Sequence, residues 1–252
     1  MNKPWDQYQP NRKLLESRVV LVTGAAHGLG QMAAYTYARY GATVILLDYD
    51  EQALERLYDQ IIESHFPEPV LICHDLRNFN LDDATHIVEQ TTQQLGRLDG
   101  FLHSAGMLGM LSPIEYMDEK IWQQTLQVNL NAAFLLLKVL MPLLKRSADA
   151  AILLTSAAQR RFSRAYWNAY VVAAAGVDTL CRVVADELDS VPGLRINALD
   201  PGDVNTRLFR QAFPGRELDN VPITDSLRLA YLYLMGPDSR HICGHKISLQ
   251  SE

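Results

Sequence analysis

Thr23-Gly24-Ala25-Ala26-His27-Gly28-Leu29-Gly30 lies between a short apolar run, Val19-Val20-Leu21-Val22, and a stretch with helical periodicity over 30–40. Glycines at such a strand-to-helix turn let the backbone bend tightly and approach a pyrophosphate, which then faces the free N–H groups of the helix start. Asp48 closes the second apolar run at the distance downstream where a dinucleotide-binding unit places an acid for the adenosine ribose. A carboxylate there accepts bonds from the 2′- and 3′-hydroxyls and repels a 2′-phosphate. Tyr49 follows it, so no arginine adjoins to bind that phosphate. These positions predict NAD(H) in preference to NADP(H), moderated by the positive character His27 brings near the phosphates. Asp75-Leu76 closes the third apolar run, where an acid can meet the adenine amino group or cap the helix that follows; both readings stay open.

These residues need a frame that gathers them on one edge. Ala42-Thr43-Val44-Ile45-Leu46-Leu47, Val70-Leu71-Ile72-Cys73, Gly100-Phe101-Leu102-His103, Ala151-Ile152-Leu153-Leu154 and Arg195-Ile196-Asn197-Ala198-Leu199 read, like 19–22, as buried parallel strands. Helical patterns over 30–40, 51–64, 82–95, 119–145 and 166–189 alternate with them. Such alternation implies βαβ units with right-handed crossovers, hence an α/β, Rossmann-like doubly wound parallel sheet of about seven strands with helices on both faces. Residues 1–252 read as one domain, with a polar N-terminal tail over 1–17. The stretch 204–225, rich in Asp, Asn, Pro and Gly, has no clear period and reads as a substrate loop.

The 252 residues are 48% hydrophobic and 21% charged, ordinary for a globular chain with a sizeable core. The net charge of −6 argues against a nucleic-acid partner, which calls for a basic face. Cys73, Cys181 and Cys243 lack metal-ligand spacing and read as buried thiols in a reducing compartment; no metal is expected. The N-terminus carries no secretory apolar stretch, and the greasiest segment, 131–144, is interrupted by Lys138 and Pro142. The expectation is a cytoplasmic protein without a membrane partner.

Further motifs make the chain resemble the short-chain dehydrogenase/reductase family along essentially its whole length. The family's glycine motif stands as Thr23 to Gly30, its Asn-Asn-Ala-Gly strand-end motif as His103-Ser104-Ala105-Gly106, and its helix asparagine as Asn129. The serine of Leu153-Leu154-Thr155-Ser156 matches the family's catalytic serine, and Tyr170 its catalytic tyrosine. The Pro-Gly turn that meets the nicotinamide carboxamide stands as Asp200-Pro201-Gly202-Asp203-Val204-Asn205-Thr206. The stretches 36–44 and 234–240 are similar to the bacterial YciK-type subgroup, which implies no particular substrate and suggests a glycine and an arginine where this chain has Asp48 and Tyr49.

The resemblance implies hydride transfer between the cofactor and a small carbonyl or secondary alcohol, with Ser156 bonding the carbonyl oxygen and Tyr170 exchanging the proton. It also implies a homodimer or homotetramer through the helices carrying Asn129 and Tyr170. In the family a lysine one helical turn after the tyrosine binds the nicotinamide ribose and lowers the tyrosine's pKa, while the asparagine holds a water linking it to solvent. Here Ala173-Ala174 stands where the family reads Ser-Lys, and Ser104 replaces a bracing asparagine. A tyrosine without a nearby cation titrates near 10, leaving about 0.1% ionised at neutral pH. Oxidation, which needs a base, then suffers more than reduction, which needs only a donor. Two alternatives stand beside an impaired oxidoreductase: a nucleotide-binding pseudoenzyme serving as sensor or scaffold, and an active-site variant of an ordinary active enzyme. Phe162, Tyr166, Trp167, Leu208 and Phe213 are candidates for an apolar substrate pocket, or equally for core or interface. Arg160, Arg161 and Arg164 are candidates for attracting an acidic substrate, or for a solvated or intersubunit face.

Overall fold

The computed structural model describes residues 3–157 and 164–250; Arg160, Arg161 and Phe162 lie outside the described residues. The apolar runs become β1 (Val19–Thr23), β2 (Thr43–Asp48), β3 (Val70–Cys73), β4 (Gly100–His103), β5 (Ala150–Thr155) and β6 (Leu194–Asp200), joined by β7 (Lys246–Ser248). Every pairing is parallel, in the order β3-β2-β1-β4-β5-β6-β7. Residues of β1, β4 and β6 are buried throughout, as a sheet covered on both faces requires. The period of two decides which layer each side chain joins. Val20 and Val22 pack towards α1 (Gly28–Arg39), α2 (Glu51–Glu63) and α8 (Arg228–Met235). Val19 and Leu21 pack towards α3 (Leu81–Leu95), α5 (Ala132–Leu144) and α6 (Asn168–Glu187).

Helix ends follow their local chemistry. Asp50 accepts the Ala53 amide to start α2, and Asn80 with Asp83 forms a reciprocal capping box at α3, which stops at Gly96 with φ of 69°. Four expectations are corrected. The helix read over 119–145 is α4 (Glu119–Leu126), a π-helical turn at Gln127–Asn131, and then α5. Part of the supposedly irregular 204–225 forms α7 (Arg207–Ala212), started by Thr206, whose hydroxyl accepts the Phe209 amide. The segment expected as a polar N-terminal tail packs on the fold: Trp5 and Leu15 are buried in the α1 layer, and Lys3 Nζ donates to the Ser248 carbonyl at 2.7 Å. Of the three thiols only Cys181 is buried; Cys73 is exposed.

Candidate active site

Strand order reverses between β1 and β4, and ligands of such sheets bind in the crevice outside the carboxyl ends at that point. A cavity of about 820 Å³ occupies that edge. Gly24, His27, Gly28, Leu29, Asp48, Asp75, Leu76, Ala105, Gly106, Asn129, Ser156, Tyr170, Ala174, Pro201, Gly202, Val204 and Thr206 all line it. Thr23 and Gly30 stand behind the lining as supports. At Gly24, φ is 68° and an added Cβ would lie 2.6 Å from the Ala105 nitrogen; at Gly30 it would lie 2.1 Å from the Gly24 carbonyl oxygen. The turn therefore folds onto itself and onto the end of β4 as only glycine allows.

Thr23 Oγ1 accepts the Ser104 and Ala105 amides at 3.2 and 3.3 Å. Its own hydrogen is thus directed to His103 Nδ1, 3.0 Å away. That makes Nδ1 the acceptor, so the proton on Nε2 donates to the Val128 carbonyl at 3.1 Å. The neutral ring ties the glycine turn to the π turn that carries Asn129, and complete burial pushes its pKa down to about 4. The extra residue of that π turn belongs to the same site, a common place for such irregularities. Asn129 faces Met107, accepting its amide and donating to its carbonyl, both at 2.7 Å.

Ser156 is buried, its hydroxyl donating to the Ala174 carbonyl at 3.3 Å. Tyr170 lies in the first turn of α6, with its ring centroid 5.7 Å from that of Trp167. Ala174 follows it one helical turn later and faces the same cavity. Among the described residues lining this space, the permanent cations are Arg77 and Arg207.

Two acids of the site are held by backbone amides, and for Asp75 the capping reading is the one the structure displays. Asp48 is only 8% exposed. Its Oδ1 accepts the Tyr49 and Asp50 amides at 2.7 and 3.2 Å, and Oδ2 accepts the Ala26 amide at 3.1 Å. Its carboxylate thus ties the glycine turn after β1 to the chain leaving β2. Asp75 is an N-cap: it accepts the Arg77 amide at 2.9 Å and holds the Arg77 guanidinium through Nε and Nη2, which keeps its carboxyl below the usual range.

The far end of the cavity is apolar, lined by Leu108, Met110, Leu111, Leu208, Phe209, Ala212 and Phe213. Phe213 lies 5.0 Å from Phe209 and 5.7 Å from Trp167 between centroids, and the Arg164 guanidinium lies 5.2 Å from the Phe213 ring. Leu208 and Phe213 are thus pocket residues, Trp167 packs behind them, and Tyr166 is exposed. Sequence reasoning missed Met107 to Leu111, whose chain has no regular pattern. It also missed Phe209 and Ala212, although the spacing Leu208-Phe209-Ala212-Phe213 is helical.

Residues 18–217 match the family model described as short chain dehydrogenase. The chain belongs to the short-chain dehydrogenase family. The uncharacterised oxidoreductase YciK of Escherichia coli K12 is 37% identical over 243 residues, 96% of each chain. Two solved short chain dehydrogenases superpose with TM-scores of 0.91 and cover 96% of this chain and 100% of theirs. One, from Shigella flexneri 2a strain 301 at 36% identity, was complexed with NADP; the other, from E. coli CFT073 at 37%, with NADPH. These complexes overturn the expectation of NAD(H) over NADP(H). Asp48, on which that expectation rested, spends much of its acceptor capacity on three backbone amides, so its carboxylate is not free to serve a ribose alone.

Proposed function

We propose that this short-chain dehydrogenase is an NADP(H)-dependent reductase of apolar carbonyl compounds, biased against alcohol oxidation by Ala174. The observation that carries the reading is the convergence of Ser156, Tyr170 and the glycine turn on one cavity with an apolar far end. The residues present fit a dinucleotide. The turn at Gly24 and Gly30 leaves no room for side chains, and the first N–H groups of α1, at Gly28 and Leu29 beside it, receive no side-chain cap among the described residues. Gly24, Gly28 and Leu29 would face the pyrophosphate, with Ala105, Gly106 and the turn Pro201 to Thr206 towards the nicotinamide. When bound, the cofactor supplies the hydride.

This chain's own groups then do three things. Ser156, whose hydroxyl needs only to rotate from the Ala174 carbonyl, donates to the carbonyl oxygen of the substrate. Tyr170 gives its phenolic proton to that oxygen as the alcohol forms. Leu208, Phe209 and Phe213 keep water from the reacting centre and select apolar substituents. Asn129 is fixed beside this lining by the Met107 backbone. Reversal requires a tyrosinate, and no ammonium at position 174 favours one. The exposed Phe134, Val172 and Val183 on α5 and α6 support the homodimer or homotetramer expected through these helices.

The test is NADPH consumption with a panel of cyclic and aromatic ketones, alongside alcohol oxidation with NADP⁺, for the chain and for Ala174→Lys. Measurable reduction, oxidation that rises towards alkaline pH, and oxidation raised on the order of 10²-fold by the lysine are expected. Equal impairment in both directions with a flat pH profile refutes the account. The alanine also favours a second reading, a nucleotide-binding pseudoenzyme; NADPH binding with no turnover in either version supports that one.

A further inference from the structure

The end of β2 offers no cation to a 2′-phosphate, since Asp48 and Tyr49 stand there. The neighbouring strand does. Asp48 pairs with Cys73, and the His74 amide donates to the Asp48 carbonyl at 2.9 Å, so the chain leaving β3 runs beside the end of β2. The 3₁₀ turn at Leu76–Asn78 follows and places the Arg77 guanidinium 5.7 Å from the centroid of the Tyr49 ring. Arg77, Tyr49 and Asp48 line the same cavity.

Arg77 is aimed as well as placed. Asp75 takes Nε at 2.9 Å and Nη2 at 2.6 Å, leaving Nη1 without a hydrogen-bond partner among the described residues. The side chain is 48% exposed, so its outer edge faces cavity and solvent. An arginine gripped by a carboxylate and resting on a ring loses little further freedom when it meets a phosphate. The acids beside it are already engaged: Asp48 by backbone amides, Asp50 by His27 at 2.8 Å and by the Ala53 amide, and Asp75 by Arg77 itself.

We infer that Arg77 is the specificity residue that recognises the 2′-phosphate of NADP(H), doing from the exit of β3 what the end of β2 does not do. The assignment rests on the function proposed above and concerns nucleotide choice alone. It predicts that a phosphate dianion replaces solvent at the free edge of the guanidinium while Asp75 keeps its grip.

The experiment titrates NADPH and NADH into the full chain by nucleotide fluorescence, for the parent, Arg77→Leu, Arg77→Lys and the double variant Asp75→Asn/Arg77→Leu. The parent should prefer NADPH. Arg77→Leu should weaken NADPH binding roughly 10- to 100-fold, the worth of a charge-assisted hydrogen bond, with NADH unchanged. Arg77→Lys should retain part of the preference. The double variant should stay weak for NADPH; recovery there would mean that the freed Asp75 carboxylate caused the loss, and would overturn the role of Arg77. A parent without preference, or an Arg77→Leu chain that keeps it, overturns the assignment and leaves the reductase reading standing. Failure of both nucleotides to bind the parent overturns that reading, and this assignment with it.

Discussion

Acid should reach this protein first through His103. The ring is completely buried, accepts from Thr23 at Nδ1 and donates to Val128 from Nε2, so a second proton has no acceptor waiting for it. Its pKa falls from 6.5 to about 4 on folding. The unfolded chain therefore takes up the proton first, and stability falls as pH falls through this window. The contribution is fully present above the unfolded value and is lost progressively down to about 4. At about 1.4 kcal/mol per unit, the full loss is about 3 kcal/mol, of which about 2 kcal/mol falls between about pH 7 and pH 5. The perturbation is His103→Asn, which installs the residue of the family motif and removes the titration; His103→Gln serves if the shorter side chain does not fold. Urea unfolding at both pH values measures the difference. The parent should lose about 2 kcal/mol more than the variant on acidification. If parent and variant decline equally, the ring is not held neutral by burial and the bond assignment through Thr23 fails.

Two further outcomes follow from close contacts. Gly24→Ala would drive a Cβ to 2.6 Å from the Ala105 nitrogen at a φ of +68°, so it should cost about 2 kcal/mol or more and sharply weaken NADPH binding in a fluorescence titration. At the opposite edge of the sheet, Asp149 is the carboxylate shared by Arg18, Arg195 and Arg240, of which Arg195 is only 2% exposed. Asp149→Ala should cost about 3–5 kcal/mol in urea unfolding, because it strands a buried charge, while the folded fraction binds NADPH normally.

Much of the site was legible from local pattern. A glycine turn must follow a strand and open a helix to be useful, and the residues from Val19 to Gly30 satisfy that within one short segment. Six of the seven strands could be read as short, mainly apolar runs, because a sheet covered on both faces needs no polar alternation, although Arg195 and Asn197 interrupt β6. β7 could not, since three half-buried residues leave no periodicity. The relation of Ser156, Tyr170 and Ala174 came from family resemblance, and the structure brings all three to one cavity.

What the sequence by itself determined is the chemistry available and the order in which it is met along the chain: the cradle, the serine, the tyrosine, and an alanine one turn later. The tertiary structure decided how each side chain is engaged. Asp48 is read from sequence as a ribose ligand, and in the fold amides from the glycine turn and from the start of α2 converge on its carboxylate at the cavity wall. Asp75 becomes a brace for Arg77, and Arg77 meets the Tyr49 ring only because β3 lies beside β2. His103 is a neutral strut only because Thr23 and Val128, far apart in the chain, meet on either side of its ring. Backbone period and glycine content are local properties that a sequence carries openly. The direction of a carboxylate or the tautomer of an imidazole depends on donors brought from distant segments, and only the packed fold supplies them.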